Sequence, residues 1–167
     1  MSGAILRADA SWAADSTRLV REILAQPIVP GDVVPLADYL ALPANRRGAV
    51  GVWLAADSEP ARIAPFTSDL ALIAIDFPAF KDGRGFSSAT LLRTRYGFTG
   101  DLRAIGDVLI DQLFYMRQVG FSSFALRADQ DPGAAVAALR TFSDVYQASV
   151  TQPLPYFRRR AAHGARP

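Results

Sequence analysis

The stretch LALIAIDFPAFKDGRGFSSATLLRTRYGFTGDLRAI, residues 70–105, carries the alternation of elements that decides the fold. It begins with an apolar run at Leu70–Asp76, passes through a glycine-rich loop into a helix candidate at Ser87–Tyr96, and ends in a second apolar run at Leu102–Ile105. Apolar runs without polar alternation are typical of strands covered on both faces, as in parallel sheets. The stretch therefore predicts a strand–helix–strand unit of a parallel sheet.

The same pattern continues on both sides of this unit. Apolar runs recur at Ala49–Leu54 and Ser123–Arg127, and helices are predicted at Asp107–Val119, Asp131–Tyr146 and, more weakly, Glu59–Pro65. Repeated units of this kind predict an α/β fold with a mostly parallel sheet. Two architectures fit, an open three-layer sheet with helices on both faces or half of a (βα)8 barrel. The open sheet is favoured, because half a barrel leaves one sheet face bare and requires a partner.

The chain divides into three segments by pattern. We expect an irregular N-terminal segment packed on the domain at residues 1–48, an α/β core at 49–149 and a flexible basic tail at 150–167. Within the first segment, Ala4–Arg7 is a short apolar piece, and helices are predicted at Ser16–Ala25 and Pro35–Leu42, the latter with proline at its first position.

Composition excludes several classes of site. The 167 residues include no cysteine, and His163 in the tail is the only histidine, so thiol chemistry, multi-histidine metal sites and a Ser-His-Asp triad are disfavoured. A net charge of +2 is not the footprint of a nucleic-acid-binding protein. The sequence contains neither a signal-peptide pattern at its start nor an apolar run near the length of a membrane span. We therefore expect a cytoplasmic protein without nucleic-acid or membrane partners.

The loop between residues 76 and 88 has the features of an anion site. Gly83 and Gly85 allow the backbone to approach a ligand closely, and Ser87 and the following helix start offer hydrogen-bond donors. Arg84 would add a bidentate contact to an oxyanion. The alternative is an ordinary turn before a helix, with a serine cap and with Arg84 paired to Asp76 or Asp107. The loop matches neither the dinucleotide fingerprint nor a phosphate-binding P-loop, so classical NAD and ATP sites are disfavoured and the identity of any cofactor is unknown.

Further polar residues are predicted at the same rim, because the carboxyl ends of parallel strands meet at one edge. Arg103 lies inside a strand and must extend to solvent or find a carboxylate. The helix predicted at 107–119 is so apolar that it lies either in the core or against a partner. The predicted anion or partner site comprises Asp82, Gly83, Arg84, Gly85, Ser87, Arg93, Arg103, Asp107, Asp111 and Gln112. Whether these residues surround a pocket or form structural salt bridges is open.

Three motifs resemble one bacterial family. These are D-F-P-x-F-x-D-G-R-G-F-S from residue 76, L-L-R-x-R-Y-G-F-x-G-D-L-R-A-I-G-D-V-L-x-D-Q from residue 91 and G-F-x-x-F from residue 120. They are similar to the family called domain of unknown function 934, with two mild departures at Phe86 and Asp101. The resemblance carries over to Asp76, Phe77, Pro78, Asp82, Gly83, Arg84, Gly85, Ser87, Arg93, Arg103, Gly106, Asp107, Asp111 and Gln112.

What the resemblance implies is a genomic context. Such proteins are commonly encoded beside assimilatory sulfite reductase and are loosely labelled oxidoreductases, but no activity, catalytic residue or cofactor is implied. The first hypothesis is an accessory protein of sulfite reduction that contacts a reductase or its electron donor. The second is a small enzyme or sensor that binds a sulfur oxyanion or a phosphorylated metabolite. The third is an oxidoreductase with a borrowed flavin or nicotinamide. Self-association is compatible with each hypothesis.

Overall fold

The computed structural model describes residues 3–21, 27–142 and 144–164 of the chain. Its strands are β1 (Ala4–Arg7), β2 (Trp12–Ala14), β3 (Arg18–Leu19), β4 (Asp32–Pro35), β5 (Gly51–Leu54), β6 (Leu72–Phe77), β7 (Asp101–Gly106) and β8 (Ser123–Phe124). Its helices are α1 (Leu36–Ala41), α2 (Ala44–Arg47), α3 (Arg84–Thr94), α4 (Leu113–Gln118), α5 (Pro132–Leu139) and α6 (Tyr156–Gly164). Short 3-10 turns occupy Pro60–Arg62, Ala64–Phe66 and Ile110–Gln112.

The strands form an eight-stranded sheet in the order β2-β1-β8-β7-β6-β5-β4-β3. From β3 to β8 each strand pairs in parallel with the next one along the chain. β1 pairs antiparallel with both β8 and β2. The predicted α/β class with a mostly parallel sheet is confirmed.

Helices of the described residues pack on one face of this sheet. Side chains from α1, α3, α4 and α5 share one large buried cluster with strand residues, among them Leu36, Leu92, Met116, Leu139, Val52 and Ile73. The opposite face carries a smaller cluster formed by Val33, Leu72, Ala74 and Ile105. Parallel strands that follow one another with right-handed crossovers place their helices on the same side. The half-barrel alternative therefore matches the structure, whereas the favoured open sheet with helices on both faces does not.

The sheet curls so that its two edges approach one another. Ala14 ends β2 and Arg18 begins β3, and four residue steps span at most about 14 Å. In a flat sheet of this order, the same two strands would lie about 34 Å apart. Only a strongly curved sheet allows such a short connection between its outermost strands.

Residues 15–21, here called the crossing segment, run over the inner face of this half-barrel. Near one end, Asp15 accepts a hydrogen bond from Arg103 of β7 at 3.0 Å. Further along, the Val20 carbonyl accepts one from Trp53 Nε1 of β5 at 2.9 Å. The inner face, which we expected to need a partner, is thus partly covered by the chain's own N-terminal segment.

Several predicted elements need correction. Part of the helix expected at Ser16–Ala25 is instead the strand Arg18–Leu19, held beside β4, and residues 22–26 lie outside the described residues. The helix expected at Asp107–Val119 is reduced to a 3-10 turn and α4, because Asp107 bonds a neighbouring loop instead of opening a helix. The helix expected from Asp131 ends at Leu139.

Other elements agree with prediction. The four apolar runs coincide with β5, β6, β7 and β8, with ends that differ by up to three residues. α1 begins directly after Pro35, and the Asp131 carboxylate caps α5 by accepting from the Ala134 N–H at 2.7 Å. In the described part of the chain, no helix has the length and apolar character of a membrane span.

Candidate functional site

The structure separates the predicted site residues into several groups. Asp82 and Arg84 form a bidentate pair, with Arg84 Nε and Nη2 donating to the carboxylate at 2.9 and 2.6 Å. These hydrogen bonds lower the pKa of the Asp82 carboxyl. The partner of Arg84 is thus Asp82, two residues earlier in the chain, and neither Asp76 nor Asp107.

The glycines and serine of this loop have structural surroundings. A Cβ at Gly85 would lie 2.6 Å from Phe77 Cζ, so this glycine lets α3 pack closely on β6. Gly83 is the N-cap residue of α3, which starts three residues before Ser87. Ser87 therefore lies within the helix, exposed to solvent, and does not cap it.

Asp107 and Gln112 together fix the loop after β6 at Phe80. Asp107 accepts from the Phe80 N–H at 2.8 Å, and Gln112 Nε2 donates to the Phe80 carbonyl at 2.9 Å. Asp107 also accepts from Arg127 at 2.7 Å, which ties the loop after β8 to the same point. Arg127 further bonds Asp129 and lowers the pKa of that carboxyl to about 2. These contacts organise the carboxyl rim of the half-barrel.

Two further predicted residues lie apart from this rim network. Arg93 donates to the carbonyls of Phe98, Gly100 and Gly120 at 2.7 to 2.9 Å, at the opposite end of the strands. Burial lowers the pKa of its guanidinium. Asp111 is exposed and has no hydrogen bond or ion pair within the described residues.

Arg103 lies on the inner face at the centre of a polar cluster. Its guanidinium donates to Asp15 at 3.0 Å, Thr17 at 2.8 Å, Asp101 at 3.1 Å and Ser123 at 3.2 Å. Burial opposes ionisation of Asp15, but hydrogen bonds from Thr17 and the charge of Arg103 outweigh it and lower the pKa of that carboxyl. Of the two outcomes expected for Arg103, extension to solvent or a carboxylate partner, the structure has the second, with Asp15 and Asp101 as partners.

A cavity of about 320 Å³ opens on the inner face beside this cluster. Ile105 and Gly106 lie at the carboxyl end of β7, so the cavity reaches the rim where barrel folds place their ligands, and Ala74 lines it from the middle of β6. Its remaining lining residues are Asp15, Thr17, Leu19, Arg21, Val33, Arg103 and Ala125. Polar groups thus occur on one side of the cavity and at its rim, while the other walls are apolar.

Arg21 is the charged residue at the rim of this cavity. Its Nη2 donates to Asp76 Oδ1 at 2.9 Å, and Nη1 lies 3.4 Å from Oδ2. Its guanidinium also lies over the Trp53 ring, 5.5 Å from the centroid. The side chain of Arg21 remains 51% exposed, whereas that of Asp76 is only 14% exposed. Asp76 and the Trp53 ring therefore hold the Arg21 guanidinium in place without burying it.

Sequence reasoning missed Arg21 because it fell inside a predicted helix. Asp76 is a motif residue but is not among the predicted site residues. A carboxylate near the carboxyl end of an apolar strand nevertheless indicates a position at the rim. Asp101 and Arg103 alternate along β7 and share the inner face, a period-two pattern that also marks them. Among residues 3–21, 27–142 and 144–164, no cluster of metal-ligating side chains is placed to hold an ion.

Comparison with known proteins identifies one family. No curated protein and no solved structure matches the chain. The model of the family described as "Bacterial protein of unknown function (DUF934)" matches residues 51–157, which is well over half of the chain. The matched region runs from β5 into α6 and includes the rim loops, Arg93 and Arg103. The chain therefore belongs to the DUF934 family.

Proposed function

We propose that this protein binds a small anionic molecule in the cavity on the inner face of its half-barrel. The observation that carries the proposal is the half-exposed guanidinium of Arg21 at the rim of that cavity. A volume of about 320 Å³ falls at the lower end of the range for small-molecule sites. The position is also that used by barrel folds, where ligands meet the loops after the strands.

The hydrogen-bond donors that line the cavity favour Arg21 as the contact for an anion. Arg103 is buried and already bonded to two carboxylates, so neither it nor Asp15 has an uncompensated charge to offer. Arg21 has a single ionic partner, Asp76, within the described residues. A guanidinium has five N–H donors, and Asp76 engages only two of its nitrogens. Donors therefore remain for a ligand oxygen.

This proposal moves the anion from the loop where the sequence predicted it. Arg84 and Ser87 were the expected ligands, but neither lines the cavity, and Ser87 lies within α3. Arg103 keeps a part in the site, because its guanidinium, paired with carboxylates, holds the crossing segment in place.

Titration of the purified protein tests the proposal. Sulfite, sulfate, phosphate, adenylyl sulfate and short carboxylates are titrated calorimetrically into the protein and into its Arg21→Gln variant. We expect saturable binding of at least one anion, lost in Arg21→Gln and retained in Arg84→Gln, the matched control. The absence of binding across the panel, or binding lost equally in both variants, would overturn the proposal.

A second function is favoured by a separate observation, the exposed aromatic side chains of Phe142, Tyr146 and Phe157. Phe142, Tyr146 and Phe157 are 59%, 70% and 58% exposed. Phe142 packs on Phe114 with ring centroids 5.1 Å apart, and the Tyr156 N–H donates to the Tyr146 carbonyl at 2.9 Å. Exposed aromatic side chains held by a folded surface are enriched at protein interfaces.

On this surface we propose a contact with an acidic partner, of the kind a sulfite reductase or its electron donor would supply in sulfur assimilation. Arg158 and Arg160 are exposed beside the aromatic rings and give the surface a positive charge. The helix that sequence reasoning offered for this contact is less suitable, because Leu113 and Met116 of α4 are buried in the core.

Co-purification distinguishes this second function from the first. The protein is mixed with sulfite reductase at micromolar concentration and low salt, and the complex is followed by size-exclusion chromatography. Tyr146→Ser combined with Phe157→Ser should abolish the complex, whereas Phe80→Ser, at an exposed aromatic residue in the loop after β6, should not. Failure to form any complex under these conditions would overturn the second function and leave the first unaffected.

A further inference from the structure

We infer that the ligand of the inner cavity is a small carboxylic acid with a compact hydrocarbon body, rather than an inorganic oxyanion. This inference rests on the proposed function, since it names the class of anion that the same cavity binds. It follows from the chemistry of the walls and from the edge of Arg21 that is left free.

The walls opposite the polar cluster are hydrocarbon. Leu19, Val33, Ala74, Ile105 and Ala125 line the cavity with aliphatic groups only. A dehydrated sulfate or phosphate presents acceptors in all directions, and such groups are held by several donors at once. Walls of this kind would leave most of those oxygens without partners, which costs free energy. An aliphatic body, in contrast, would bury apolar surface against them.

The polar side chains of the lining cannot supply the missing donors. The Thr17 hydroxyl donates to Asp15 at 2.7 Å and accepts from Arg103. The Arg103 guanidinium is directed at Asp15, Asp101, Thr17 and Ser123. Arg21 is therefore the lining residue of the described chain that has side-chain donors to spare.

The free edge of Arg21 fits one carboxylate. Asp76 accepts from the terminal edge of the guanidinium, formed by Nη1 and Nη2. Nε has no hydrogen bond within the described residues, so the lateral edge of Nε and Nη2 remains. A lateral edge presents two parallel N–H groups that match the two oxygens of a carboxylate. Stacking on Trp53 limits rotation of the guanidinium and keeps this edge in place.

The experiment uses pivalate as the probe, pivalamide as its neutral counterpart, and inorganic sulfate and phosphate as the competing class. We expect saturable binding of pivalate that is at least about tenfold tighter than that of pivalamide and of either inorganic anion. Arg21→Gln should weaken pivalate binding by about tenfold or more, and Arg84→Gln should not change it. Asp76→Asn should strengthen binding, because it removes a negative charge beside the ligand while keeping an acceptor.

Ala125→Leu provides a second variant, should Arg21→Gln fail to fold. It extends a hydrocarbon side chain into the cavity, leaves Arg21 intact and should abolish pivalate binding. Equal affinity for pivalate and pivalamide, or unchanged binding in Ala125→Leu, would overturn the inference. Sulfate or phosphate binding that depends on Arg21, without pivalate binding, would overturn the inference but uphold the proposed function. If none of the anions binds, both the inference and the proposed function are overturned.

Discussion

The Arg103 guanidinium on β7 donates to the Asp15 carboxylate at 3.0 Å, joining residues that are 88 positions apart in the chain. The pair is enclosed, because the side chain of Arg103 is 8% exposed and that of Asp15 is 21% exposed. It fixes the crossing segment to the inner face and closes one side of the cavity.

Replacing Arg103 should therefore destabilise the fold strongly. Arg103→Met keeps an unbranched apolar stem but leaves Asp15 without its cation and Asp101 with only the exposed Arg7. We expect the free energy of unfolding to fall by about 3–5 kcal/mol, as measured by urea denaturation. Arg7→Met is the control, because Arg7 also approaches Asp101, at 3.8 Å, but is 41% exposed. The control should lose less than about 1 kcal/mol, and equal losses in the two variants would contradict the prediction.

Arg93 should resist conservative replacement. It bonds three backbone carbonyls in two directions, from Phe98 and Gly100 on one side and Gly120 on the other. A lysine ammonium is a single point and cannot span both sides. Arg93→Lys should lower the free energy of unfolding by about 1.5–3 kcal/mol. Arg95→Lys, at an exposed position near the end of the same helix, should have little effect in the same denaturation experiment.

Gly106 should tolerate no side chain. Its φ is +91°, and an added Cβ would collide with the Phe77 carbonyl oxygen and lie 2.8 Å from Asp76 Oδ1. Gly106→Ala should cost at least about 2 kcal/mol of stability. Gly97 has a φ of +65° but open space around its Cβ position, so Gly97→Ala should cost only about 1 kcal/mol. Thermal denaturation of the two variants compares them directly, and a smaller loss at Gly106 than at Gly97 would refute the steric argument.

Acid should destabilise the protein through Asp32. This residue is 1% exposed, and hydrogen bonds from Arg18 at 2.8 and 2.7 Å lower the pKa of its carboxyl. A group whose pKa is lower in the folded state stabilises the fold above its unfolded pKa, and loses that contribution as the pH falls through the folded value. Stability should therefore decrease as the pH falls below about 4.

Asp32→Asn is the variant that checks this assignment. It should be less stable than the parent protein at pH 7, because the charged hydrogen bonds to Arg18 are weakened. Its stability should then depend less steeply on pH in the acid range. Urea denaturation of both proteins between pH 7 and pH 2.5 measures the two slopes, and parallel slopes would assign the acid sensitivity to other carboxyls.

How far the sequence predicted the fold depended on the range of the interactions. Leu70–Asp76 identifies β6 because burial on both faces excludes polar residues from the strand itself. The two-residue strand Arg18–Leu19 has no such pattern in its own residues, since it forms only through its pairing with β4. The choice between open sheet and half-barrel was likewise set by strand order, which no single segment encodes.

Some residues of the candidate site were predicted from the sequence, but the contacts that bring them together were not. Arg103 was selected because a cation inside an apolar strand requires a partner, and its partner Asp101 lies on the same face two residues away. Arg21 and Asp76 are 55 positions apart, so no spacing in the sequence connects them. The pairing of Arg84 with Asp82 depends on the conformation of the loop, which the sequence does not specify. From sequence alone, Arg84 therefore remains a candidate ligand for an anion.

The antiparallel pairing of β1 with β8, which aligns Leu6 with Phe124, has a kinetic consequence. This pairing closes a loop of more than a hundred residues, whereas β5, β6 and β7 join partners much nearer in sequence. Closing a long loop costs chain entropy before the new contacts contribute any stabilisation, so pairings between strands far apart in sequence slow folding. We therefore expect the central parallel strands to assemble early, and the N-terminal hairpin and crossing segment to dock last. The cavity would then be completed in the final step of folding.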